Sequence, residues 1–537
     1  MLRPENPLRD NGTIDPILSR YDTAIKPGHS KHRHWDVESR GREAMVTPLR
    51  SRLSVTMIQE ETRKPEGDAR APLRALARLK SGRSSGIRFP VQRTARNPAI
   101  LDMEKRHGDK RVKHVKVMEK VYEPRRLRKA WQQVKQNAGA AGIDQMTVEA
   151  FEQRKDELLT LTHEKLKAET YRFKPARRAL IPKEGDSEMR KLGIPVVMDR
   201  VVSQSVNLVL QEIFDPDFTM SNYGYRRGHS QRQAIYHVQM IIKEGYEWCA
   251  SIDLARFFDE IPHNLILKLI RRKIADERLV TLIARALKAG IMVAGKLEKT
   301  TKGCPQGSPL SPMLSNIVLN ELDQELEKRG HRYCRWADDF LILLRSERAA
   351  ERVMEGIAGY LENNLNLPVN KEKSQVALIK DVPFLGFQIL REKIRVSNKA
   401  RLRFKNKVRE LTHRNNPLSM YQAIQELNVY LRGWVGYFRT QEFRNLFRDL
   451  DGWIRSRLRS MQLKKWKNPR KFQRMMIRAG YKPHEARRVW VKMNRWQSVN
   501  RREVRFVMNL QWFRKQGLVF LHVYTQNQKP LELRFNR

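Results

Sequence analysis

Tyr333-Cys334-Arg335-Trp336-Ala337-Asp338-Asp339-Phe340-Leu341-Ile342-Leu343-Leu344 sets two adjacent carboxylates between two apolar, strand-like runs. The pattern predicts a β-hairpin with Asp338 and Asp339 at its tip. Desolvating two like charges side by side is costly unless a cation neutralises them, so the tip reads as a divalent-metal platform. Upstream, Ser251-Ile252-Asp253-Leu254-Ala255-Arg256-Phe257-Phe258-Asp259 ends a second apolar, strand-like stretch, 248–252, on a third acid, Asp253. Two metal ions on shared carboxylates can activate an attacking oxygen and stabilise a leaving one. Hard Mg²⁺ prefers such oxygen ligands. The plainer reading is that each acid caps a turn or pairs with a surface arginine. Three acids in matching apolar settings, in a strongly basic chain, favour the metal.

The chain has 537 residues, with 106 Lys and Arg against 59 Asp and Glu, a formal net charge of +47. The excess is spread along the chain, which implies a polyanionic partner, nucleic acid before a membrane surface. No apolar run approaches the ~18 residues of a spanning helix, and the first residues are polar with no signal-peptide core. Cys249, Cys304 and Cys334 are few and widely spaced. They suggest a reducing compartment and form neither a disulfide framework nor a zinc site.

Residues 1–110 are rich in Arg, Pro, Ser and His and poor in apolar periodicity, and read as a basic, disordered extension. Helical patterns follow over 112–137 and 147–168, with a loop at 137–144 between them. The residues 176–182 read as a strand, 184–188 as a turn and 199–214 as a helix. Strand and helix signals alternate over 192–390, giving an α+β domain. From Asn398 onward the chain reads as mainly helical, basic and dotted with aromatics.

Further candidates surround the acids. Phe258 follows Asp253 closely, where a bulky ring can exclude a 2′-hydroxyl by steric clash. One of Phe257 and Phe258 is expected in the core, as adjacent strand residues face opposite sides. Lys302-Gly303-Cys304-Pro305-Gln306-Gly307-Ser308-Pro309-Leu310-Ser311-Pro312 is a Gly/Pro loop feeding an apolar helix, 313–326. Such a loop brings backbone, and Gln306, close to a nucleotide or template base. Lys183 and Arg190 flank a polar turn and can straddle a triphosphate. Lys373 is a candidate for the leaving pyrophosphate, against the alternative of a plain surface lysine.

This ordered set resembles the reverse transcriptases encoded by bacterial group II introns, also called intron maturases. The matching pieces are Ala138-Gly139-Ala140-Ala141-Gly142-Ile143-Asp144, Leu192-Gly193-Ile194-Pro195, Asp199-Arg200, and Ile213-Phe214-Asp215-Pro216-Asp217-Phe218. They continue with Tyr223-Gly224-Tyr225-Arg226, 253–259, 305–312, Ala337-Asp338-Asp339 and Phe384-Leu385-Gly386-Phe387. The resemblance covers roughly 112–480. It implies a right-hand polymerase: a fingers extension over 111–175, fingers and palm over 176–395, and a helical thumb or maturase-specific domain over 396–480. A basic nucleic-acid-binding region over 481–537 follows. It puts Asp253, Asp338 and Asp339, with the Leu254 carbonyl, at the positions that hold two Mg²⁺ ions, Mn²⁺ being a possible substitute. Lys183, Arg190, Phe258 and Gln306 take nucleotide-contact positions. The chain departs from the pattern at Trp336, usually Tyr, at Cys304, usually Thr, and at Asp186 and Glu188, which make their turn more acidic than usual.

Apolar groups at 427, 430, 431, 434, 437 and 438 form one helix face at a 3.6 period, best read as core. Arg432, Arg439, Arg444, Arg448, Arg455, Arg457 and Arg459 are expected as exposed cations. Lys464-Lys465-Trp466-Lys467 and Arg487-Arg488-Val489-Trp490 interleave cations with indoles, which suits phosphate contact plus base stacking. No cysteine follows Cys334, so a His/Cys endonuclease like that of many relatives is not expected.

The leading expectation is an RNA-directed DNA polymerase that also binds its intron RNA to promote splicing and mobility. Its partners would be intron RNA, an RNA template, a DNA primer or target and dNTPs, without a membrane. Its place would be the cytoplasm, at the nucleoid when on DNA. The alternatives are a splicing cofactor with a silent polymerase and a reverse transcriptase recruited to defence or DNA repair.

Overall fold

The computed structural model describes residues 113–182, 189–466, 469–492 and 496–526. The basic extension over 1–110 and the turn carrying Lys183, Asp186 and Glu188 lie outside the described residues.

The helical pattern before the first strand is cut where the backbone requires it. Pro124 cannot donate to a preceding turn, so α1 (Val117–Tyr122) ends and α2 (Pro124–Asn137) begins at Glu123. The second pattern splits into α3 (Val148–Gln153) and α4 (Lys155–Lys167) at Arg154. These helices pack on α5 (Val197–Phe214), whose buried side chains run along nearly its whole length.

Between them, β1 (Ala176–Pro182) pairs antiparallel with β2 (Met189–Ile194), and β1 extends on its other edge to β4 (Ile291–Val293) and β5 (Lys296–Glu298). The second four-stranded sheet is the one that carries the acids. Its order is β6 (Arg332–Trp336), β7 (Asp339–Leu344), β3 (Trp248–Ile252) and β8 (Gln375–Leu378), all antiparallel.

β7 reads Asp-Phe-Leu-Ile-Leu-Leu because both of its faces are covered. Phe340, Ile342 and Leu344 join a core with α1–α5 and the helices α8 (His263–Lys273), α9 (Glu277–Leu287), α10 (Ser311–Lys328) and α11 (Glu347–Asn364). Leu341 and Leu343 join a second core. It is shared with α6 (Gln231–Lys243), with the hairpin β9 (Phe387–Ile389) and β10 (Ile394–Val396), and with the helices beyond. Each fully buried aliphatic or aromatic side chain contributes about 1.5–3 kcal/mol.

Those later helices are α12 (Asn398–Leu411), α13 (Met420–Phe438), α14 (Arg444–Lys465), α15 (Pro469–Arg478) and α16 (Pro483–Lys492). The expected apolar face of α13 is core: Leu427, Leu431, Trp434 and Phe438 are buried and Tyr430 and Tyr437 pack against them. Val504, Met508, Phe513 and Leu521 complete the same core from the C-terminal side.

The hairpin itself is held by a buried ion pair. Arg335 and Asp323 are both fully excluded from solvent, with Nε and Nη2 of the arginine donating to the two carboxylate oxygens at 2.8 and 2.5 Å. Arg335 Nη1 also donates to Asn316 Oδ1 and to the Ala337 carbonyl, both at 3.0 Å. Removing one partner of such a pair strands a buried charge. Asp323→Ala should therefore cost about 3–5 kcal/mol in chemical denaturation. Glu277→Ala, which breaks the exposed 2.8 Å pair with Arg271, should cost no more than about 1 kcal/mol. Equal losses would contradict this reading of the hairpin.

Candidate active site

The register of the acid-bearing sheet fixes where the three carboxylates start. Ile252 stands across from Phe340, so one step further along the two strands sets Asp253 across from Asp339. Trp336 pairs with Asp339 across the β6–β7 hairpin, leaving Ala337 and Asp338 as its two-residue turn. All three acids thus leave the sheet at one end, and each is half-buried. Their side chains are not drawn into a closed cage: among the described residues, no three His, Cys, Asp or Glu groups stand close enough together to hold a metal ion. The donor chemistry still fits Mg²⁺, since all three groups are carboxylates that start from one end of two adjoining strands.

The turn is strained and braced. Ala337 holds a φ of 59°, which costs a non-glycine residue roughly 1–3 kcal/mol. Tyr223 donates its N–H to the Arg335 carbonyl and Arg335 returns its own to Ser221, both at 2.9 Å. This contact brings Gly224 against the turn. A Cβ at Gly224 would sit 2.2 Å from the Ala337 nitrogen, so only glycine lets the two backbones meet. Asn316 donates to the Gly224 carbonyl at 2.8 Å, closing the network onto α10.

Asp253 is braced from the opposite edge. Its N–H donates to Ser374 Oγ at 3.0 Å, and Ser374 Oγ donates to the Asn370 carbonyl at 2.7 Å. The Asn370 N–H donates to the Asp253 carbonyl at 2.8 Å and the Ala255 N–H to the Pro368 carbonyl at 2.9 Å. These bonds flank the Leu254–Val369 bridge, so the Leu254 carbonyl points away from that segment. Ser374 and Asn370 lie beside Lys373, which is exposed in the same loop. Nothing in the sequence marked them as supports.

Phe257 and Phe258 divide between core and site for a helical reason. They lie in a short helix, α7 (Phe257–Glu260), where adjacent residues point about 100° apart. Phe257 is buried and Phe258 is half-buried. The expectation of a strand there is corrected. The Phe258 carbonyl accepts from the Cys304 N–H at 2.6 Å, and the Ile261 carbonyl from Gly303 at 2.8 Å. The His263 ring Nε2 donates to the Gly303 carbonyl at 2.8 Å. Phe258 and the loop carrying Gln306 therefore form one braced unit.

That loop is clamped to the first sheet. The Gly193 N–H donates to the Gln306 carbonyl at 2.8 Å. Gly307 has a φ of 120°, and a Cβ there would sit 2.4 Å from the Gly193 oxygen. Arg190, half-buried, faces Ile181 in the register. Strand alternation puts Lys191 and Arg178 together on the other face, where both act electrostatically on Asp259. Sequence reasoning missed these two cations, which look like any others among 106.

Two family models match this chain: "Reverse transcriptase (RNA-dependent DNA polymerase)" over residues 181–389, and "Group II intron, maturase-specific domain" over 401–479. Protein YkfC of Escherichia coli (strain K12) is 31% identical over 297 residues, 48% of this chain and 78% of that protein. The group II intron-encoded protein LtrA of Lactococcus lactis subsp. cremoris is 27% identical over 327 residues, 48% of this chain and 54% of that protein. The chain belongs to the family of group II intron-encoded reverse transcriptases and maturases.

In the maturase half, several expected nucleic-acid contacts are spent on the fold. Trp466 is buried and rings with Phe472 at 5.9 Å, so it is core and not a stacking platform. Lys465 Nζ caps the carbonyls of Asn416, at 2.7 Å, and Leu418, which corrects its reading as an open phosphate contact. Lys464 is exposed with its Nζ on Asn415 Oδ1. Arg459 is buried, with Nε and Nη2 on the Met508 carbonyl at 3.1 and 3.0 Å. Arg457 is half-buried against Thr412, and Arg455 is half-buried as well. These three correct the expectation of a fully exposed arginine row. Arg432, Arg439, Arg448, Arg487 and Arg488 are exposed. The Arg444 side chain lies outside the described residues. Among the described residues no helix is long and apolar enough to cross a membrane. Cys249, Cys304 and Cys334 are free and buried, and burial pushes the Cys249 and Cys304 thiols up to about 12.

Asp199 is a buried acid that the matched motif contains and the chemistry does not use. It accepts from Tyr171 OH at 2.7 Å and from the Lys174 N–H at 2.9 Å. Burial raises its carboxyl from 3.8 to about 6, outweighing those hydrogen bonds. Between these values the folded protein keeps a proton that the unfolded chain releases, so this group's contribution to stability falls as pH rises through 3.8 to about 6 and is level above it. Against Asp199→Asn, which does not titrate, the wild type should be relatively more stable at about pH 4 than at about pH 7. A stability difference that does not change with pH would contradict it.

Proposed function

We propose that this chain is an RNA-directed DNA polymerase working by two-metal nucleotidyl transfer, and that it also binds its intron RNA to promote splicing and mobility. The observation that carries the reading is the sheet register, which starts Asp253, Asp338 and Asp339 from one end of adjoining strands. Supporting it are the two family matches in sequence. Under this reading 111–175 extends the fingers, 176–395 forms fingers and palm, 396–480 the thumb, and 481–537 a basic nucleic-acid-binding region.

Asp253, Asp338, Asp339 and the Leu254 carbonyl would hold the Mg²⁺ pair. Bound there, the ions supply charge stabilisation to the attacking and leaving oxygens. The primer 3′-hydroxyl loses its proton to water and its oxygen bonds to the α-phosphorus of a dNTP as the bond from that phosphorus to the bridging oxygen breaks and pyrophosphate leaves. The chain's own residues orient that exchange. Phe258, braced through Cys304, packs under the sugar and excludes a 2′-hydroxyl. Gln306, held by Gly193, presents its amide to the nucleotide. Lys183 and Arg190 grip the triphosphate, and Lys373 faces the departing pyrophosphate. Arg432, Arg439, Lys464, Arg487 and Arg488 supply phosphate contacts to RNA and DNA, which act through charge and carry no sequence code. The site of action is the cytoplasm, at the nucleoid when on DNA.

The test is primer extension with purified protein, an RNA template, a DNA primer, dNTPs and Mg²⁺, beside Asp338→Ala. The variant should lose extension entirely while keeping wild-type RNA affinity, because the acids serve chemistry and the cations serve binding. Wild type that binds RNA but never extends the primer would leave only the splicing role.

A further inference from the structure

α14 presents Asp451, Arg455 and Arg459 one turn apart, on one face. Asp451 is buried, and its oxygens are already engaged. It accepts the N–H of Leu521 at 2.9 Å and of His522 at 3.1 Å, and it pairs with His522 Nδ1 at 2.6 Å. This pins the C-terminal segment over the helix and sets Phe520 beside Arg455. The guanidinium groups of Arg455 and Arg514 each lie 5.9 Å from the centre of the Phe520 ring. Arg505, from the short helix α17 (Arg502–Val507), adds a further cation. Its field and that of Arg455 add to burial in lowering Arg459, to about 10.

Arg455 and Arg514 thus flank Phe520, Arg505 acts electrostatically on Arg455 and Arg459, and the acceptors of the one carboxylate beside Arg455 serve the backbone and a histidine. Arg459 is satisfied by the Met508 carbonyl. Among the described residues, the side chains of Arg455, Arg505 and Arg514 form no hydrogen bond or ion pair. Arg455 is half-buried, and the one carboxylate acting on it, Asp451, is already engaged, while Arg505 adds a like charge; a desolvated cation with so little compensation is unfavourable. A phosphate oxyanion reverses both terms, since guanidinium forks match its geometry.

We propose that Arg455 and Arg514, on either side of the contact with Phe520, together with Arg505 from the neighbouring α17, form a binding site for backbone phosphates of bound RNA. The site rests on the RNA-binding reading above and adds to it a place and three residues. It exists only because the C-terminal segment is folded back on α14, so it ties RNA affinity to that docking. Phe520 is buried, so it orients the guanidinium groups and does not stack on a base.

The experiment measures binding of a fluorescein-labelled RNA hairpin across a salt series. It compares wild type, Arg455→Gln/Arg505→Gln/Arg514→Gln, and a control with Arg348→Gln/Arg352→Gln on the exposed face of α11. The triple variant should bind about tenfold more weakly at moderate salt, and its log–log salt slope should be shallower by about two. The control should match wild type. Arg505→Gln/Arg514→Gln, changing only exposed residues, should show the same direction if the triple variant does not fold. Steep, tight binding unchanged in the variants would overturn the site and leave the RNA-binding reading standing. Equal losses in variant and control would overturn it as a general charge effect. Wild type that binds RNA weakly and without salt dependence would remove the reading beneath it. Inorganic pyrophosphate that raises the melting temperature of wild type alone, with RNA binding unchanged in the variants, would assign the arginines to a free anion and overturn the backbone assignment.

Discussion

The Arg335–Asp323 pair is the interaction on which the candidate site depends. It is fully buried and bidentate, and it lies directly behind the strained Ala337 turn that carries Asp338. One guanidinium joins α10, through Asp323 and Asn316, to the hairpin, through the Ala337 carbonyl. Asn316 passes the connection to Gly224, whose lack of a side chain lets a second backbone press on the same turn. The carboxylates are therefore carried on a support in which the Arg335 guanidinium, the Asp323 carboxylate and the Asn316 amide satisfy one another and the adjoining backbone. Such a support holds like charges together at one end of a sheet.

The same logic recurs one layer out. Asp253 is braced by Ser374 and Asn370, Phe258 by Cys304, and Gln306 by Gly193. Each of these three hangs on a hydrogen bond to a neighbouring segment, whereas Lys373 is held within its own loop, by Asn370. The sheet that carries the acids is itself enclosed by two cores, one shared with the N-terminal helices and one with the maturase helices. Packing in the maturase half is thereby continuous with the reverse-transcriptase half.

Much of this was legible from residue order. The hairpin, the 248–252 and 176–182 strands and the apolar face of α13 follow from period-2 and period-3.6 patterns, and the acids stand out because they interrupt apolar runs. What was not legible is pairing at a distance. Arg335 reads as one more cation in a basic chain, and only the fold brings Asp323 to it. Trp466 and Arg459 look like exposed nucleic-acid contacts because their neighbours are cationic, yet tertiary packing turns them inward. The division of Phe257 and Phe258 between core and half-exposed positions follows from a helix and not from the strand that the pattern suggests. A four-residue helix is too short to show a period.

The central claim is that Asp253, Asp338 and Asp339 act together on a divalent pair. The direct measurement is Mn²⁺ binding by electron paramagnetic resonance, with an RNA–DNA hybrid present, for wild type beside Asp253→Asn and Asp339→Asn. The account predicts tight binding by wild type and loss of tightly bound Mn²⁺ in each variant, with the fold intact by circular dichroism. Equal Mn²⁺ binding in all three proteins would contradict it.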